Sequence, residues 1–180
     1  MEKYQSTPFF LQEALREDIG RMLEGNLFKN PDPAGDPYIP MSIYGQNLPL
    51  PVAGTEEPSQ AMIDYTDDMI SDPVYNCPWC LVKIDSGEVK GPNEPQTVVV
   101  AICYGIFNDD RQNDGHKDIL NLIQKTYERY ATEPTLSRSY RCKQDFEWSV
   151  QREDTYPYYF GAISMTFEMT GIKLERSIYT

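Results

Sequence analysis

The run TVVVAICYGIF, Thr97–Phe107, is a nearly unbroken series of β-branched and aromatic residues. Such side chains suit the pleated surface of a strand. Alternation at two residues puts Val98, Val100, Ile102, Tyr104 and Ile106 on one face and Val99, Ala101, Cys103 and Phe107 on the other. Both sets are apolar, which predicts a central strand covered on both sides. The rest of the chain is read by what can flank and cover it.

Upstream, Trp79–Ile84 has strand character and runs into the polar loop Asp85–Pro95. Downstream, NDDRQNDG leads into a helix over Asp114–Ala131, with Ile119, Leu120, Ile123, Tyr127 and Tyr130 as its apolar stripe. Asp118 sits in the first turn, where the helix dipole favours negative charge, and Glu133-Pro134 ends the helix. Ser139–Cys142, Asp145–Gln151 and Tyr158–Thr170 follow as strands. Phe146, Trp148 and Val150 alternate with Glu147 and Ser149, and Ile163, Met165, Phe167 and Met169 with Ser164, Thr166 and Glu168, so each of these strands buries one face.

At the other end, Thr7-Pro8 opens a helix: threonine can cap the free amides, and proline suits the first helical position. Leu11, Leu15, Ile19, Met22 and Leu23 line one side, and Gly25 offers a stop. Between Asn30 and Pro78 nine prolines exclude a long helix. Tyr38–Tyr44 and Leu48–Val52 read there as short extended pieces and Gln60–Ile70 as a weak helix. The predicted architecture is one α+β domain over residues 1–180. It has an antiparallel or mixed sheet of about 4–5 strands, two main helices on one face, and an extended proline-rich arm over residues 30–76.

At 180 residues such a domain buries about 68–70% of the surface of its unfolded chain. Sixteen basic against 28 acidic residues give a net charge of -12, which argues against holding duplex DNA. An acidic protein can still stand beside DNA that must slide past it. The first twenty residues lack a secretory apolar core, and no apolar run reaches about 18 residues, so no membrane partner is expected. The chain is therefore expected in the cytoplasm with its four cysteines reduced.

The chemical motifs are thin. Cys77-Pro-Trp-Cys80 would need a low-pKa thiolate at a helix N-terminus to act in redox chemistry, and a strand pattern follows it instead. As half of a zinc site it would need a second pair, but Cys103 and Cys142 stand singly in predicted strands and the one histidine is His116. Buried free thiols are the simpler reading. Asp109, Asp110 and Asp114 lack the carboxylate spacing of a calcium loop and read as turn chemistry. No glycine-rich phosphate loop occurs. We therefore expect no catalytic, cofactor or metal residues and no enzyme.

The segment EDTYPYYFGAISMTFEM, Glu153–Met169, crowds aromatic residues around Pro157 and Gly161. It holds no lysine or arginine, unlike a nucleic-acid stacking platform. An extended chain also separates Tyr158 and Phe160 from Tyr159, unlike a cation cage. Tyr156-Pro157 reads as an entry turn, Gly161 as a close approach and Ile163–Met169 as core. Tyr158, Tyr159 and Phe160, aromatic on both faces, are the candidate subunit-interface residues, since such side chains are enriched in interfaces.

The order CPWCLVKIDSGE, TVVVAICYGIFNDD, GHKDILNLIQKTYERY and FEWSVQREDTYPYYFGAISMTFEM resembles the tail-terminator, or tail-completion, proteins of phages of Gram-positive hosts. The likeness spans Cys77–Met169, and Gln60–Pro73 looks like an insertion. It implies an α+β subunit that forms a ring, typically a hexamer, capping the tail tube and joining it to the head through neck proteins. Genomic DNA would pass through without specific binding. The resemblance implies a place in the virion, assembly in the host cytoplasm, and neither catalytic residues nor cofactors. Other head–tail connectors, or the tail cap of a phage-derived contractile particle, are alternatives. A metal or redox module on Cys77 and Cys80 is the alternative of another class.

Overall fold

A computed structural model describes residues 7–49, 77–91 and 94–169. The expected Gln60–Ile70 helix and most of Leu48–Val52 lie outside these residues. The fold is α+β, with two helices against a six-stranded mixed sheet and a separate two-stranded ribbon.

Helix α1 runs Pro8–Met22, and the Thr7 hydroxyl accepts the Phe10 N–H at 3.3 Å, the cap expected at Thr7-Pro8. Leu11, Leu15 and Ile19 are fully buried. The chain leaves the helix through Gly25, whose φ of +79° is the left-handed conformation that glycine tolerates. Strands β1 (Leu27–Lys29) and β2 (Tyr38–Pro40) form the antiparallel ribbon. Strand β3 (Ser42–Gly45) joins the main sheet parallel to β4 (Trp79–Glu88). Then come β5 (Gln96–Phe107), α2 (Gly115–Thr132), β6 (Thr135–Leu136), β7 (Tyr140–Val150) and β8 (Tyr158–Met169). The sheet order is β3-β4-β5-β8-β7-β6, antiparallel throughout except at β3–β4.

The run Thr97–Phe107 is central, as its composition demanded: β5 pairs with β8 from Gln96↔Met169 to Phe107↔Tyr158 and with β4 on its other side. The sheet has six strands rather than the expected four or five, because the two-residue β6 and the four-residue β3 are too short to show a period. Ser139–Cys142 and Asp145–Gln151, expected as separate strands, form one strand with a register shift between Cys142 and Phe146. β4 likewise continues to Glu88, past the predicted loop start, through a shift between Ile84 and Ser86.

Both helices lie on one face, over Cys80, Val82, Val98, Val100, Ile102, Tyr104, Ile163, Met165 and Phe167. Asp18 joins them: its carboxylate accepts Arg129 Nη2 and the Tyr130 hydroxyl, each at 3.1 Å. A second polar link, Tyr104 hydroxyl to Thr126 hydroxyl at 2.7 Å, closes within the core, and the Thr126 hydroxyl donates a hydrogen bond to the Leu122 carbonyl at 2.8 Å. Buried polar atoms matched in this way avoid the desolvation cost of an unpaired group.

β5 is covered on one face rather than on both as expected. Val98, Val100, Ile102, Tyr104 and Ile106 are buried beneath the helices, whereas Val99, Ala101, Cys103 and Phe107 are only half-buried. Periodicity reports that a face is apolar; it carries no information on which layer meets it.

Gly161 lies beneath α2, where a Cβ would stand 2.4 Å from Ile119 Cγ2. Gly161→Ala is expected to cost about 1–3 kcal/mol as α2 is forced off the sheet. Ile119→Ala in the same chain should recover part of that loss. Denaturant titration of the four-member mutant cycle checks it, and strictly additive losses would refute the contact.

Candidate functional site

Cys77-Pro-Trp-Cys80 is the one motif with reactive potential. Cys77 precedes β4 and Cys80 lies within it; both are buried. Burial pushes the Cys77 thiol up to about 12, and burial together with the neighbouring Cys103 raises Cys80 further. Cys142 is raised to about 12 by burial and the nearby Asp145. A thiol held protonated is neither a good nucleophile nor a ready metal ligand. Among the described residues no cluster of three or more His, Cys, Asp or Glu side chains is placed to hold an ion.

His116 is exposed at the start of α2. The acidic loop is engaged in local turn chemistry: Asp110 accepts the Gln112 N–H at 3.1 Å, Asp114 pairs with Lys117 at 2.6 Å, and Asp109 pairs with Lys29 at 2.8 Å. The last of these ties β1 to the loop after β5, beside a cleft of about 440 Å³ lined by Phe28, Tyr38, Phe107, Asn108, Asn121 and Lys125. No described helix is long and apolar enough to cross a membrane.

The aromatic segment is built on a turn. Asp154 accepts the Tyr156 N–H at 3.1 Å, and the Tyr156 hydroxyl donates to the Asp109 carbonyl at 2.9 Å. Gln151 then clasps the entry of β8: its N–H reaches the Phe160 carbonyl at 3.0 Å, and its Oε1 accepts the Phe160 N–H at 2.8 Å. From there the three candidate interface residues part. Tyr159 turns toward the helices, only 4% exposed, with its ring against Gly115 and its hydroxyl bonded to Asn113 Oδ1. It is an internal tether that seats the α2 N-terminus.

Tyr158 and Phe160 turn to the sheet face that carries no helix. Tyr158 packs on Phe107, ring centroids 5.5 Å apart, and Phe160 stacks on Trp79 at 5.9 Å. Trp79 crosses Gly105, where a Cβ would lie 2.3 Å from its ring, so that glycine is what allows the stack. The result is an aromatic end on this face, continuing into the small side chains Ala101, Cys103, Ala162 and Ser164. The sequence marked Tyr158 and Phe160 but missed Trp79 and Phe107, because cross-strand register joins them.

A second aromatic group was expected in the core. The alternation predicts Trp148 buried with Phe146 and Val150, and the helical period puts Leu120 and Tyr127 in the α2 stripe. Trp148 is instead 59% exposed, Tyr127 43% and Leu120 37%; the buried stripe is Ile119, Leu122, Ile123, Thr126 and Tyr130. These residues face the groove between α2 and β7, where Tyr127 meets Phe146 edge-to-face at 5.0 Å. Side-chain period gave the right direction; the lateral position of α2 leaves Trp148 without a cover.

No protein-family model matches the chain, and comparison with curated proteins finds no relative.

The thiols give a pH test. Cys77 and Cys142 stay protonated in the fold above the ordinary thiol pKa of 9.0, so the stability they contribute is intact below about pH 9. It is lost as pH rises from 9 toward 12, because only the unfolded chain then releases these protons. Alkylation at pH 8 should leave Cys77, Cys80 and Cys142 unmodified until denaturant is added. Rapid labelling of Cys77 in the native protein would refute the assignment.

Proposed function

We propose that this chain is a structural subunit of a tailed-phage particle, a tail terminator that works by self-assembly. Its subunits form a ring, of six by the family resemblance, which caps the tail tube and receives the head through neck proteins. The observation that carries this reading is the aromatic end of the sheet face that carries no helix, where half-buried Tyr158, Phe160 and Phe107 are held beside the buried Trp79. Contiguous apolar patches of this kind mark association surfaces, and aromatic residues are enriched in them. The residues that could support chemistry point the other way, with buried thiols protonated and carboxylates engaged in turns.

Charge supports the same reading. At -12 the subunit suits a passage through which DNA slides, since a negative wall does not bind phosphate. A ring whose lumen is lined by lysine and arginine would refute this element.

Electron micrographs of phage lacking the gene provide the principal test. Abnormally long tails are expected; tails of normal length without heads would instead assign a neck joint. In the purified protein, Tyr158→Asp and Phe160→Asp should abolish ring-sized particles in light scattering while circular dichroism stays native. Rings that persist in both variants would exclude this face. Retained assembly by a Cys77→Ala, Cys80→Ala variant is expected as well; bound metal that the double variant loses would favour the thiol module.

A further inference from the structure

The two edges of the sheet differ in how they are closed. At the β3 edge, the Ile43 carbonyl accepts Arg16 Nη2 at 3.3 Å and the Gly45 carbonyl accepts the Asn47 N–H at 2.7 Å. The chain's own groups occupy that edge. At the opposite edge, β6 pairs with β7 only at Tyr140 and Arg141, and the Cys142 N–H adds one bond to the Pro134 carbonyl. Among the described residues nothing pairs with the outer edge of β7, the one away from β8, from Phe146 to Val150.

The polarity of that open edge follows from register. Gln151 N–H bonds to β8 at Phe160, so along an antiparallel ladder Ser149 and Glu147 also direct their backbone groups at β8. Phe146, Trp148 and Val150 therefore turn N–H and C=O outward. The side chains of Phe146 and Trp148 line the α2 groove, about 410 Å³, with Leu120, Ile123, Tyr127 and Gln124. An unpaired strand edge beside an apolar groove and a helix is the geometry that accepts an extended peptide as an added strand, with alternate side chains entering the groove. Natural edges this open are usually blunted by charge, proline or a cover; here Trp148 is displayed instead.

We infer that this edge and groove receive an extended segment of a second copy of the chain, residues 172–179. In extended conformation Ile172, Leu174 and Ile178 share one side with Arg176, and Lys173, Glu175, Ser177 and Tyr179 take the other. Lys173 and Arg176 outweigh Glu175, so the segment carries net positive charge in a subunit of net charge -12. Glu128, bonded to Gln124 at 2.7 Å, stands on α2 beside the groove, on the side Arg176 would take, and Glu147 is turned to the opposite face of β7, on the side Lys173 would take. A second copy is indicated because Met169, where the described β8 ends, pairs with Tyr140, the stretch that β6 covers. The chain's own segment would have to pass around β6 to reach Phe146. Donation from subunit to subunit is head-to-tail, and such contacts generate rings when the rotation closes. The inference rests on the self-assembling reading above.

The test uses the 180-residue chain. An Ile172→Asp, Leu174→Asp variant removes the donated face, and Trp148→Ser removes the groove's anchor. Light scattering should show each variant alone as a monomer, and an equimolar mixture as a two-chain complex, because one intact donor and one intact groove remain. A synthetic peptide of residues 170–180 should bind the donor variant in calorimetry. Trp148→Ser in that background should weaken binding at least about tenfold, and Trp148→Tyr should retain most of it. Variants that still form rings would overturn the docking assignment and leave the ring reading standing. A donor variant that ignores the peptide overturns it too. A wild-type monomer that refuses the peptide while the donor variant takes it places the segment in its own groove, which overturns the second-copy assignment. A wild-type chain that stays monomeric even on tail tubes refutes the ring reading, and the peptide titration still decides the groove.

Discussion

The pairing of β5 with β8 sets the rest of the molecule. It runs without interruption from Gln96↔Met169 to Phe107↔Tyr158, so one register decides the facing of every side chain on the two longest strands. A slip of one residue would exchange the whole buried set for the half-buried one. Several contacts oppose such a slip. Gly161 must lie under Ile119, and Gly105 must lie under Trp79, because a Cβ at either place would collide. Gln151 holds the entry of β8 at Phe160 through two hydrogen bonds.

That register also distributes polarity. On the helix side it aligns Tyr104 with Thr126, and the seating of α2 brings Arg129 and Tyr130 to Asp18 on α1. Burial and the adjacent Asp18 hold the Tyr130 hydroxyl in its protonated, donating form, which is what the carboxylate requires. Removing Asp18 would leave Arg129 and Tyr130 without this acceptor, so the link fixes how the helices meet. The hydrogen bonds specify an arrangement that apolar burial alone would leave loose.

On the other side and at the β7 edge, the same sheet leaves apolar groups only partly covered in two places of different character. One is a flat face ending in Tyr158, Phe160, Trp79 and Phe107. The other is a groove beside open backbone, with Trp148 at its rim. A face meets another surface, whereas an edge and groove take an extended segment. A subunit with both has the means to contact unlike neighbours, as the proposed ring would require.

Much of the fold was legible because it rests on local periods. The cap at Thr7-Pro8, the stripe Leu11, Leu15 and Ile19, the central position of Thr97–Phe107 and the inward set Ile163, Met165 and Phe167 all follow from residue type and spacing. The parting of Tyr158 and Phe160 from Tyr159 follows from the same alternation. Periodicity determined which residues turn together. Only the tertiary structure decided what each group meets: that β3 runs parallel to β4, that Tyr159 seats α2 through Gly115, and that Trp79 lies over Gly105 against Phe160. It also decided that Trp148 faces the helix layer yet lies beyond its reach. Spacing along the chain encodes direction, while cover depends on where a distant element comes to rest, and that position is set by long-range packing.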